Sequence, residues 1–320
     1  MSVRSMSRSG FLTVTGGVCA AAIGAAGSGA GAAGRLHGVQ LFPSDNPWNV
    51  RVDKMPVDPQ SDQIIANYGK QSPIVEIGMP FNVVSGNQPK VPIRFGVSGE
   101  SDPGPYPIPP NPRIENGPYS RSPSSDHHLL ILDTGEQKLY EMYDARLTGS
   151  GWYADSGAVF DLTSNRLRPN YWTSSDAAGL PVIPGLVRYD EVLSGRIAHA
   201  LRFTLSQTRQ AFVHPATHLT YSGPKGPGWA PMGARFRLKA SVDISRFSRP
   251  LQVILLALQR YGMMVADNGT PYGITGDDDW RWVASGIAPY SAGFRFDDSN
   301  GMSLASDPFE VVKMGHVYFP

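Results

Sequence analysis

The chain has 320 residues, 41 % of them hydrophobic and 17 % charged, a globular composition with ample core material. A formal net charge of +1 leaves out the basic field that nucleic-acid binding requires. The 35 glycines and 28 prolines favour turns over long helices, and 13 Tyr, 13 Phe and 6 Trp suit strands and sugar-stacking surfaces alike.

Residues 1–34 read as a signal peptide rather than as part of the fold. Arg4 and Arg8 precede "FLTVTGGVCAAAIGAAG", a weakly apolar run of small residues, and "AGAAG" supplies a cleavage site near Ala32 or Ala33. "SRSGFLT" resembles the twin-arginine export signal, with Ser9 where the second arginine would stand, so the general secretory route stays open. A secreted or periplasmic protein is expected, soluble once the signal is removed. Cys19, the only cysteine, lies in the signal. The mature chain therefore has no disulfide, no thiolate nucleophile and no cysteine-ligated zinc.

Pro43, Pro47, Pro56 and Pro59 break residues 35–72 into an extended lead-in anchored by Trp48 and Val50. "PIVEIG", "FNVV" and "VPIRFGV" follow as short strands between Pro, Gly and Asn. Residues 98–125 hold eight prolines and form a long loop, a length most often reserved for lining a site.

"DHHLLILDTGEQKLYEMYDA", residues 126–145, is a hairpin with its turn at Gly135 and Glu136. That register sets Asp133 against Lys138, Leu132 against Leu139, Leu130 against Glu141 and His128 against Tyr143. Alternation then gives one face His128, Leu130, Leu132, Leu139, Glu141 and Tyr143, and the other His127, Leu129, Ile131, Tyr140, Met142 and Asp144. Both faces are mostly apolar, so the hairpin is central in its sheet. Glu141 beside leucines needs donors, or its pKa rises. His128, Glu141 and Tyr143 are then either an acid–base centre or a buried network holding two sheets in register. The two adjacent histidines point to opposite faces and do not share a metal ion.

Further on, "SGAVFDL" is a strand, and residues 163–196 are an irregular loop with one short helix near residues 189–193. "IAHALRFTL" and "ARFRLKA" are strands, alternating His199 and Arg202 onto opposite faces in the first. Residues 249–261 form the clearest helix, with Ser248 before it, Pro250 in its first turn, Gly262 after it, and Leu251, Ile254, Leu255 and Leu258 on one face. "MMVAD" is the last strand, closed by the turn signal at Asp267, Asn268 and Gly269. The pattern specifies an all-β fold: a single antiparallel, jelly-roll-like β-sandwich domain over residues 35–320, with long loops and one prominent helix.

"GAVFDLTSNRLRPNYWTSSDAAGLPVIPGLVRYDEV", residues 157–192, resembles a block of secreted, largely uncharacterised bacterial proteins, written roughly GAVFDL, WTSADAAGLP and PGLVRYDEV. Ser175 stands where that block has alanine. With the hairpin, the likeness covers about a third of the mature chain. It implies secretion and brings no activity with it.

Physically, Trp152, just before the block, and Trp172 within it are sugar platforms, and Asp176, Arg188, Asp190 and Glu191 are readers of hydroxyls. The expected function is that of a carbohydrate-active protein cleaving a polysaccharide in a cleft between the 98–125 and 163–196 loops. In a hydrolase, Glu141 is the general acid and Asp190 or Glu191 the partner. In a lyase, His128 or His199 is the base, Tyr143 the acid, and Arg202 neutralises the uronate. The alternative is a non-catalytic sugar-binding or cell-surface module using Trp152, Trp172 and Trp280. No cofactor or metal is expected. Asp277, Asp278 and Asp279 offer oxygens to calcium without the EF-hand spacing. A monomer acting on a polysaccharide or cell-surface glycan is anticipated.

Overall fold

The hairpin adopts the register read from its sequence. Leu129–Asp133 pairs antiparallel with Lys138–Tyr143, setting Leu130 opposite Glu141, Leu132 opposite Leu139 and Asp133 opposite Lys138. Asp133 Oδ1 closes the turn by accepting the Gly135 and Glu136 amides, each at 3.0 Å. Gly135 is required there, because a Cβ would stand 2.6 Å from the Ser85 carbonyl oxygen. Ser156–Asp161 joins on one side and Asn82–Val84 on the other, giving a four-stranded inner sheet.

The computed structural model describes residues 34–117, 126–288, 293–298, 300–304 and 308–320. The expected signal peptide, residues 1–34, with Cys19, lies outside the described residues except for Gly34, and residues 118–125 of the proline-rich loop lie outside them too. The described residues cluster as one unit.

A larger, seven-stranded sheet runs in the order Phe294–Arg295, Ile74–Met79, Gly273–Asp277, Leu201–Leu205, Met263–Asn268, Arg235–Leu238, Phe309–Val311. Alternation along the hairpin divides its side chains between two apolar clusters. Leu130, Leu132 and Leu139 join the principal core with Val75, Phe203, Phe236 and Ile274 of the large sheet. Leu129, Ile131, Tyr140 and Met142 join a second core with Tyr106, Ile108 and Ala154. The inner sheet is thus buried on both faces. Its far side is covered by a three-stranded sheet of Ile93–Phe95, Arg146–Thr148 and Gly151–Ala154. Burying a leucine fully contributes about 2 kcal/mol, so this double burial holds the hairpin firmly.

The all-β class and the sandwich-like layering agree with the sequence reading. The pairings are mixed rather than purely antiparallel. Ile74–Met79 runs parallel to Gly273–Asp277, Leu201–Leu205 to Met263–Asn268, and Asn82–Val84 to Leu129–Asp133. Each parallel pair joins segments far apart in sequence, which local turn signals do not report. The lead-in also holds a helix, Ser61–Asn67, just after the last of its prolines.

The principal helix is Arg249–Arg260, packed on the Arg235–Leu238 strand through Leu251, Ile254, Leu255 and Leu258. Ser248 occupies the N-cap position without a side-chain cap bond. Gly262, at φ 68°, ends the helix where a Cβ would lie 2.3 Å from the Phe236 carbonyl oxygen.

Candidate active site

A polar cleft of about 370 Å³ opens where the ends of the two sheets meet. Asp126 and Tyr143 come from the hairpin, Ser156 from the start of the adjoining strand with Asp155 just before it, and Asp267 and Asn268 from the large sheet. The wall between them is the segment from Thr173 to Ala177, inside the block singled out in the sequence.

That wall is fastened from behind by the residues of the hairpin. Glu141 is fully buried. Its carboxylate accepts the Val182 amide at 2.7 Å, the Ile183 amide at 3.0 Å and the Ser175 hydroxyl at 3.2 Å. Burial is the largest influence on its pKa and pushes it up to about 7, against those three donors. His128, also buried, has Nδ1 2.8 Å from Glu115 Oε2 and Nε2 2.9 Å from the Ser175 carbonyl oxygen. Both partners only accept, so both ring nitrogens donate and the ring is an imidazolium. Burial opposes that charge, but the bond and charge of Glu115, with the charge of Asp176, raise the His128 pKa. Glu115 is lowered in turn: burial acts against it, and the His128 bond and charge prevail.

Asp176 and Arg202 form the third fastening. The Asp176 carboxylate is fully enclosed and takes Arg202 Nε at 2.7 Å and Arg202 Nη2, while Arg202 Nη1 reaches the Thr275 hydroxyl. Ser174 Oγ donates to the Leu180 carbonyl at 2.6 Å, and Ser156 Oγ to the Ser174 carbonyl at 2.6 Å. The loop wall is therefore rigid, held by both sheets at once.

The residues expected to do chemistry divide accordingly. Tyr143 lines the cleft. Glu141 and His128 stand behind the wall, where a substrate does not reach them; they position it and do not act on a substrate. Arg202 is saturated by Asp176 and Thr275 and is not a free cation for a uronate. His199 is elsewhere: its Nδ1 donates to the Ala200 carbonyl at 2.7 Å, and Nε2 meets Arg188 Nη2 at 2.9 Å and Glu191 Oε2 at 3.0 Å. Arg188, Glu191 and His199 thus form a separate buried cluster, with Arg188 also bonded to the Ile183 carbonyl at 3.0 Å. Burial works against the Glu191 charge, but Arg188 and His199 hold its pKa below the usual value. Asp190 faces solvent and pairs with Arg281 at 2.9 Å. Neither carboxylate of the helix Tyr189–Ser194 meets Glu141, so the expected acid pair is not assembled.

The tryptophans are dispersed. Trp152 packs against the second core. Trp172 is half-buried with the Arg168 guanidinium 5.6 Å above its ring. Trp280 is exposed, at 76 %. The three aspartates at 277–279 engage separate partners: Asp277 accepts the Trp282 indole at 2.7 Å, Asp278 pairs with Arg113 at 2.8 Å, and Asp279 pairs with Arg281 at 2.5 Å. Among the described residues no group of three or more His, Cys, Asp or Glu gathers as a metal site. Nor is any helix among them long and apolar enough to cross a membrane.

The group that sequence reasoning set aside is Asp267, whose place in a turn signal hid it. A bulge in the Leu201–Leu205 pairing sets Thr204 opposite Asp267 where Phe203 faces Val265, redirecting the end of the Met263–Asn268 strand. Asp267 Oδ1 accepts the Asn268 amide at 2.7 Å and Oδ2 the Ala177 amide at 3.3 Å. Burial, then the Asp176 charge, push it up to about 6. Close by, Tyr143 donates to Asp126 Oδ1 at 3.4 Å. Its phenol is pushed up to about 12 by burial first, then by Asp126 and Asp267. A buried carboxyl with a raised pKa, an exposed aspartate and a phenol thus share one polar cleft. No protein-family model, curated protein or solved structure matches the chain.

Proposed function

We propose that the cleft hydrolyses glycosidic bonds of a polysaccharide outside the cell, with Asp267 as general acid and Asp126 as its partner carboxylate. The observation that carries this reading is Asp267, its pKa pushed up to about 6 by burial, inside a hydroxyl- and carboxylate-lined cleft. Protonated Asp267 gives its proton to the leaving glycosidic oxygen. Asp126 takes a proton from the water that adds to the anomeric carbon. Tyr143 orients Asp126 through its hydroxyl, and Ser156, Thr173 and Ser174 offer hydroxyl and backbone partners to sugar hydroxyls.

The substrate is a neutral glycan rather than a uronate. Asp126, Asp155, Asp176 and Asp267 all border the cleft, and the nearby Arg202 is already held by Asp176. An anionic chain would meet net repulsion, which sets the lyase chemistry aside.

The test is reducing-end release from a panel of neutral polysaccharides, with glycan binding measured in parallel. Asp267→Asn is expected to lower turnover about 100-fold or more while glycan binding holds, at a stability cost of about 1–3 kcal/mol for the backbone amide left unmet. A wild-type protein that binds glycans yet releases no reducing ends would make the cleft a binding site only.

A further inference from the structure

Four buried arginines each meet a carboxylate: Arg168 on Asp102, Arg188 on Glu191, Arg202 on Asp176 and Arg237 on Glu310. Arg235 meets none among the described residues. Its Nη1 donates to the Tyr261 carbonyl at 2.5 Å, and its Nη2 to the Pro47 carbonyl and to Met264 Sδ at 3.4 Å. These partners orient the guanidinium without neutralising it. Burial lowers its pKa to about 10, and no acid opposes that shift, so it remains a cation near neutrality.

Arg235 borders a cavity of about 240 Å³ whose walls include Val50, Val52, Met55, Val213, Met264 and Met314. Lys313, exposed, adds a second positive charge at its edge. Asp45 also borders it, but its carboxylate accepts the Asn165 side-chain amide at 2.8 Å and makes no ion pair with Arg235. A half-buried guanidinium with no carboxylate partner among the described residues, set beside an apolar wall, suits a ligand that supplies the missing anion and fills the remaining space. Methionines let such a wall adapt to an alkyl chain.

We infer that this cavity binds an organic monocarboxylate with a short apolar body, its carboxylate on Arg235 and its tail among the valines and methionines. The volume, at ~30 Å³ per displaced water, holds a chain of roughly six to eight carbons. The cavity shares no lining residue with the polar cleft, so it is a second site and does not depend on the glycan reading.

The experiment is isothermal titration of the full chain with sodium octanoate and, separately, with 1-octanol. Octanoate is expected to bind once per chain and at least about tenfold more tightly than the alcohol. Arg235→Met should remove that preference. Val50→Phe, which narrows the cavity and leaves the guanidinium with its carbonyl partners, should weaken octanoate about tenfold or more. Should Arg235→Met fail to fold, Val50→Phe decides alone. Equal affinity for acid and alcohol, no octanoate binding by 1 mM, or unchanged binding in Val50→Phe overturns the inference.

Discussion

Replacing Glu141 by glutamine separates an architectural carboxyl from a catalytic one. Three donors converge on it, the Val182 and Ser175 groups on Oε2 and the Ile183 amide on Oε1. Glutamine keeps an oxygen for the first two and turns its NH₂ toward the Ile183 amide, leaving one buried donor unmet at a cost of about 1–3 kcal/mol. The wild-type carboxyl carries a different penalty, set by pH. Its pKa rises from 4.5 to about 7 on folding. Between those values the folded state binds more protons than the unfolded state, so stability falls as pH rises through the window. A shift of that size corresponds to ~3 kcal/mol between pH 4.5 and pH 8. Glutamine does not titrate, so the advantage of wild type over Glu141→Gln should shrink by up to that amount across the same range. Urea unfolding followed by tryptophan fluorescence at pH 4.5, 6 and 8 measures it. A difference that stays constant with pH, or grows as pH rises, would refute the account of Glu141 as a buried carboxyl anchoring the loop wall.

Other perturbations probe the remaining fastenings. Asp176→Asn leaves Arg202 buried with half its partner and should destabilise the protein by about 3–5 kcal/mol in denaturant unfolding, whereas Asp176→Leu combined with Arg202→Met should recover most of that loss. The His128–Glu115 pair should be fully formed between the unfolded carboxylate and imidazole values, ~4.3 and ~6.5. Because His128 is raised on folding, its contribution is lost as pH climbs through the folded value. A His128→Gln variant should therefore lie furthest below wild type near pH 6, about 1–3 kcal/mol in urea unfolding, and approach it above that titration.

Much of the fold was legible because the hairpin carries strong local information. Its turn residues and alternating leucines fix the register, and the structure sorts those leucines into two cores as alternation requires. The principal helix was equally plain from its apolar face and its flanking Pro250 and Gly262. What was hidden is non-local. The amides of Val182 and Ile183 reach Glu141 from about forty residues away, and Glu115 reaches His128 from a loop whose prolines gave no sign of a partner. Nothing in the hairpin alone tells a core-facing glutamate from a cleft-facing one. Asp267 was obscured for a related reason. An Asp-Asn-Gly run is an ordinary turn signal, and only the pairing of its strand with Leu201–Leu205 brings that carboxyl beside Ala177 and Tyr143.

The central claim is that Asp267 delivers a proton in the cleft. Its most direct test is the pH dependence of kcat/KM on the polysaccharide hydrolysed best. With Asp267 protonated as the active form, activity should fall as pH rises through about 6, and that limb should vanish from the residual activity of Asp267→Asn. A profile that is flat through this range, or whose limb persists in the variant, would contradict the assignment.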